Sequence, residues 1–163
     1  MTLTVLVLCT HNTCRSIMAE GILNHYGKDK ILAFSAGSFP EEKVNPMSLA
    51  TLKRHGMSDQ GYRSKSWDEF VSNNHFPQSI DILITVCDNA AGEVCPIFPG
   101  KPLKTHWGVP DPSRFQGLAP DVEAEFDRVF FILERRFKAL LDLPLEDLDR
   151  DDLQRKLNEI GTL

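Results

Sequence analysis

At 163 residues the chain is long enough for one enclosed core, and its 42% hydrophobic and 25% charged content is that of a globular domain, not a disordered or fibrous one. A net charge of −5 argues against nucleic acid or an anionic membrane as partner. No basic segment precedes the first apolar run, which is too short to span a bilayer, so a cytoplasmic protein is expected.

Residues 3–8 are continuously apolar, with Val5 and Val7 inside the run, the pattern of a strand buried on both faces. The run leads straight into Cys9, and Arg15 and Ser16 open a helix expected over residues 15–26 and closing near Gly27. A second strand is read at residues 31–35, followed by a Ser35-Ala36-Gly37-Ser38 turn. Asn45 is placed as an N-cap with Pro46 at the first helical position, and Gly56 as the stop. Residues 64–79 are polar and predict a short helix at 67–71 plus a loop. Residues 80–86 are the most β-branched stretch and form the third strand, which brings Cys87 to a strand end as the first brings Cys9. Residues 88–102 read as a long loop or broken helix, and 103–106 as a fourth, edge strand. From 120 to 141, Val122, Phe126, Val129, Phe130, Leu133, Phe137, Leu140 and Leu141 recur at helical spacing and predict a core-facing helix. Leu153, Leu157 and Ile160 mark a last, shorter helix, weakly tethered through Pro144 and an acidic run.

Strands alternating with helices predict a parallel sheet with right-handed crossovers, and ligands in such sheets bind beyond the carboxyl ends of the strands. There Cys9-Thr10-His11-Asn12-Thr13-Cys14-Arg15-Ser16 links strand to helix N-terminus, a geometry that converges backbone N–H groups on an oxyanion. Arg15 adds planar bidentate donors. The same donors and charge are expected to lower the Cys9 pKa and hold a nucleophilic thiolate, with Ser16 donating its hydroxyl to the sulfur. In a reducing compartment the four cysteines, Cys9, Cys14, Cys87 and Cys95, point to catalytic, redox or metal chemistry before a disulfide framework. By residue type alone, Cys87 and Cys95 fit buried packing thiols, a redox pair, or a zinc site with His106. Their seven-residue gap is unlike the close spacing of structural zinc ligands. Cys14 reads as a packing residue with a possible backup redox part. His11, His25, His55 and His75 have no metal-site spacing, and no metal is expected.

The loop from Cys9 to Ser16 resembles the phosphate loop of the low-molecular-weight protein tyrosine phosphatases and of the arsenate reductases built on the same fold. The resemblance continues through Ser35-Ala36-Gly37-Ser38, through Thr85-Val86-Cys87-Asp88 to Cys95-Pro96, and through His106-Trp107-Gly108-Val109-Pro110-Asp111-Pro112. It spans about residues 3–141, and the Cys87/Cys95 pair with the His-Trp-Gly stretch resembles the reductase branch. It implies a three-layer α/β sandwich on a four-stranded parallel sheet, with residues 1–163 as one domain and 146–163 as a C-terminal helical extension.

The resemblance also implies chemistry. Thr10, His11, Asn12, Thr13, Cys14, Arg15 and Ser16 would surround arsenate, or phosphate or sulfate as its analogues. Cys9 would attack arsenic and Asp111 would act as general acid. A Cys9–Cys87 and then a Cys87–Cys95 disulfide would carry the oxidation outward. No bound cofactor is implied; thioredoxin or glutathione with glutaredoxin would be a transient redox partner of a monomer. The alternative is hydrolysis of phosphomonoesters, phosphotyrosine among them, through a Cys9 phosphocysteine; a third reading is a non-catalytic oxyanion binder. Ser113 and Arg114 follow Asp111-Pro112 where phosphatases of this type carry an aromatic platform, which disfavours phosphotyrosine. Two departures stand out. His11 occupies a position where many members carry Gly, so the loop must take a Cβ and an imidazole. The gap between Cys87 and Cys95 is one residue longer than in thioredoxin-coupled reductases, which leaves the electron donor open.

Overall fold

The computed structural model describes residues 2–71, 79–88, 92 and 97–163. Four strands form one parallel sheet: β1 (Leu3–Leu8), β2 (Ile31–Ala36), β3 (Ile82–Thr85) and β4 (Leu103–His106). Their order is β2-β1-β3-β4. The first crossover carries the chain from β1 to one side and the next returns it to the other, so the order reverses at β1. In a sheet of this kind a crevice opens at that switch point. In register, Leu8 lies opposite both Ala36 and Thr85, and Thr85 opposite His106. The residues that follow these ends therefore meet at one edge.

Alternation along the buried strands sorts their side chains to two faces. Val5, Val7, Ile82 and Ile84 pack with the large core cluster. That cluster includes Met18, Ala19, Ile22 and Leu23 of α1 (Arg15–Gly27), and Phe126, Val129, Phe130, Leu133, Phe137 and Leu140 of α4 (Ala119–Leu141), all buried. The expected stripe on α4 is thus the core face, with Val122 and Leu141 at its half-buried margin. Leu6, Leu8 and Leu83 face the other way, onto Phe70 of α3 (Asp68–Val71) and Phe98. Helix α2 (Pro46–Arg54) starts as read, with Asn45 Oδ1 accepting from Met47 N at 2.9 Å. Gly56, at φ 79°, ends it.

Two expectations are corrected. The third strand is four residues, not seven: Ile80 N bonds Pro99 O, outside the sheet, and Val86 N reaches Leu8 O at the very end of β1. The last helix, α5 (Arg150–Ile160), is firmly docked, not loosely tethered. Leu157 and Ile160 are buried, Trp107 Nε1 donates to Leu157 O at 2.8 Å, and Thr105 Oγ1 donates to Asn158 Oδ1 at 2.9 Å. The acidic linker says nothing of this, since the partners lie about fifty residues upstream. No described helix is long and apolar enough to cross a membrane.

Candidate active site

Cys9 leaves β1 directly into the loop, 6% exposed. Gly37, beyond β2, comes so close that a Cβ there would stand 2.4 Å from Thr10 O and 2.6 Å from Cys9 O, so no larger residue fits without moving backbone. Further ties run from Phe39 N to Thr10 O (2.9 Å), Asn45 N to Thr13 O (3.1 Å) and Ser64 Oγ to His11 O (2.8 Å). The loop's outward carbonyls are thereby taken up by its neighbours.

Asn12 is the one described non-glycine residue at positive φ, 53°. The strained position is therefore Asn12 and not His11, whose imidazole turns outward to Phe39 O at 3.0 Å. Asn is among the few residues that tolerate this region, and alternating backbone hands make an amide nest. Its enclosed side chain donates to Ser16 Oγ at 2.8 Å and Ser35 Oγ at 3.0 Å and accepts from Lys65 N at 2.9 Å. Ser16 Oγ, expected to serve the sulfur, accepts from Asn12 Nδ2. Cys14 is buried, as its packing reading requires, and burial pushes its thiol up to about 11.

Cys87 follows β3 by two residues and is also buried. Its Sγ accepts from Thr10 N at 3.3 Å and lies 3.5 Å from Thr10 Oγ1. The neighbouring Cys87 thiol, with burial, pushes the Cys9 pKa up, while Arg15 and the Thr10 N–H pull it down. The expected lowering is thus reversed in the thiol pair, because a second sulfur stands where sequence reasoning weighed only amides and a guanidinium. Such a pair titrates as a unit, and its second ionisation is opposed by the first.

The far side of the cleft is the segment after β4. Trp107 N donates to Thr85 O at 2.8 Å and Val109 N to Val86 O at 3.1 Å, which extends the sheet edge. Arg15 Nη1 donates to Val109 O at 3.1 Å, and its Nη2 is 3.6 Å from Asp111 Oδ2. Asp111 Oδ1 accepts from Ser113 N at 3.0 Å and Ser113 Oγ at 2.7 Å. Arg15, Cys87, Asp88, Val109, Pro110, Asp111 and Arg114 line a cleft of about 290 Å³. Cys9, Arg15, Cys87 and Asp111 are thus gathered, while Cys95 lies outside the described residues. His106 bonds Thr85 Oγ1 (2.7 Å) and Asp88 Oδ1 (3.0 Å). Among the described residues no group of three His, Cys, Asp or Glu side chains is placed to hold a metal. Sequence reasoning missed Lys65 and Glu20 behind the loop, each an ordinary polar residue in its own stretch, and it marked the Ser35 turn without giving Ser35 a part in the site.

A nucleophile-bearing loop between parallel strand and helix, faced by an Asp-Pro segment, is the arrangement of one phosphatase-like class. The family model for low molecular weight phosphotyrosine protein phosphatase matches residues 4–156, and the chain belongs to that family. Within it, the chain is similar to proteins named arsenate reductase. The one from Bacillus subtilis (strain 168) is 35% identical over 131 residues, 80% of this chain and 89% of that one. A crystal structure of arsenate reductase from Archaeoglobus fulgidus DSM 4304 superposes with a TM-score of 0.64 at 29% identity, covering 85% of this chain and 99% of that one. A structure described as an arsenate reductase in the phosphate binding state gives 0.65 at 25% identity, covering 86% and 97%.

Proposed function

We propose that this protein reduces arsenate to arsenite by thiol chemistry, with a part in arsenical resistance in the reducing cytoplasm. The observation that carries the reading is the second sulfur, Cys87, seated at 3.3 Å on the N–H of Thr10, the residue next to Cys9. A hydrolase of this class needs one sulfur; a two-electron reduction needs a second thiol to close a disulfide. Kinship with arsenate reductases supports the same choice.

Arsenate enters the amide nest between Cys9 and Arg15. The Cys9 thiolate attacks arsenic, and Asp111 supplies the proton with which an arsenate oxygen leaves as water. The Cys87 thiolate then attacks Cys9 Sγ. As the S–S bond forms, the S–As bond breaks and its electron pair stays on arsenic, which leaves as arsenite in the lower oxidation state. Cys95 attacks Cys87, which returns Cys9 to the thiol and leaves a Cys87–Cys95 disulfide. An external dithiol, thioredoxin or glutaredoxin with glutathione, takes up that oxidation. No bound cofactor or metal has a part in these steps.

The test is mass analysis of the reduced protein after one turnover with arsenate. Loss of two hydrogens mapped to Cys87 and Cys95 is expected in the native chain. Cys87→Ser should release no arsenite while still binding phosphate. Arsenite production by that variant at the native rate would remove the relay.

A further inference from the structure

Behind the loop sits a charged pair to which the reaction above gives no part. Lys65 is 7% exposed, and Asn12, Ser16 and Ser35 are fully enclosed. Lys65 Nζ stands 3.6 Å from Glu20 Oε1 and donates to Arg63 O at 3.3 Å. The same Glu20 oxygen accepts the Ser35 hydroxyl at 2.9 Å. Because Ser35 gives its proton to Glu20, its lone pairs are left for Asn12 Nδ2. An amide nitrogen cannot accept, so the Asn12 bond exists only while Ser35 points its hydrogen away. Asn12 in turn holds a left-handed backbone that persists only where its surroundings over-determine it. The direction of one hydroxyl thus bears on the shape of the loop.

We propose that Lys65 is a positioning residue for the oxyanion loop: its ammonium pairs with the Glu20 carboxylate, the carboxylate orients the Ser35 hydroxyl, and Ser35 with Ser16 holds Asn12 in the left-handed form that makes the loop amides converge. Lys65 acts through this chain of contacts and touches no reacting atom. Its backbone works the same way, with Lys65 N on Asn12 Oδ1 and Lys65 O accepting from Gly37 N at 2.9 Å. Without the ammonium, a largely enclosed carboxylate loses its cation, an arrangement that folded proteins avoid by shifting a proton or a side chain. Either shift disturbs Ser35. The inference rests on the reading of the loop as an oxyanion site.

The test titrates reduced full-length protein with inorganic phosphate by calorimetry and follows Cys9 alkylation by iodoacetamide, with and without phosphate. Lys65→Met should weaken phosphate about tenfold, the worth of one charge-assisted hydrogen bond, and reduce protection of Cys9 in proportion. Lys65→Arg, which keeps the charge, should retain most of the affinity. The double variant Lys65→Met/Glu20→Gln should recover it, because an amide oxygen accepts the Ser35 hydroxyl without needing a cation. The double variant buries no lone charge and so serves even where the single one fails to fold. Native affinity in Lys65→Met, or no recovery in the double variant, overturns the inference. If the native protein itself binds no phosphate, the oxyanion reading falls and takes this inference with it.

Discussion

The two walls of the cleft are held in opposite ways. The Cys9–Ser16 wall is tied mostly to chain close by in the fold's first half: Gly37, Phe39, Asn45 and the 64–65 segment. The Trp107–Asp111 wall is braced from the far end of the sequence. Trp107 is fully buried, edged by Phe137 at 5.4 Å and bonded to Leu157 O. The largely buried Arg136 donates to Gly108 O at 3.2 Å and to Leu163 O at 3.3 Å. A Cβ on Gly161 would stand 2.8 Å from Trp107 Cδ1, so α5 approaches that closely. One wall is held by hydrogen bonds to its backbone and to Asn12, and the other takes its place from packing. Arg15 joins them by reaching from the first to Val109 O and Asp111 of the second.

Damage to the second wall should therefore register in stability and damage to the first in binding. Trp107→Ala should cost about 4 kcal/mol of unfolding free energy, the range for a large enclosed aromatic, measured by denaturant titration. Its phosphate affinity should fall less than that of Arg15→Lys; an equal fall would erase the distinction between the walls. Arg15→Lys loses the planar fork and should weaken phosphate roughly 100-fold, with the denaturation midpoint close to native.

A subtler test concerns the sulfurs between the walls. Cys87→Ala removes the largest influence raising the Cys9 pKa. The pH midpoint for Cys9 alkylation should then move down, because Arg15 and the Thr10 N–H are left opposed only by burial. An unmoved midpoint would mean that the pair does not share its proton.

The smallest effect should come from a site remote from both walls. Burial pushes Asp127 up, but hydrogen bonds from His55 (2.9 Å) and Arg54 (2.7 Å) prevail and hold it below the usual carboxylate value. A depressed acid stabilises the fold above its unfolded value, about 3.9, and that contribution is lost as pH falls through the folded value. Asp127→Asn should cost about 1 kcal/mol at pH 7, discounted for partial exposure, and the difference from native should close in acid. Phosphate binding should be unchanged.

How much of this was readable beforehand follows the same division. The Cys9–Ser16 loop, the N-cap at Asn45, the stop at Gly56 and the apolar stripe of α4 are local signals, each set by steric or hydrogen-bonding needs within a few residues. Their places in the fold match the expectation closely. The left-handed residue was not singled out: a family position drew attention to His11, and the side chain that ties itself inward is that of Asn12. Lys65 gave no sign at all, sitting in a polar stretch of the kind that lies on surfaces.

The order of residues by itself determined a parallel α/β sheet, a cysteine at a strand end and an arginine across a short loop from it at a helix start, because periodicity and loop chemistry act over short stretches of chain. Tertiary structure alone decided which sulfur lies against Cys9, that α5 clamps Trp107, and that an ammonium is enclosed behind the loop. Those facts depend on residues brought together from positions 45 to 78 apart, and in a close-packed interior such meetings follow from the whole arrangement of layers, not from any one segment.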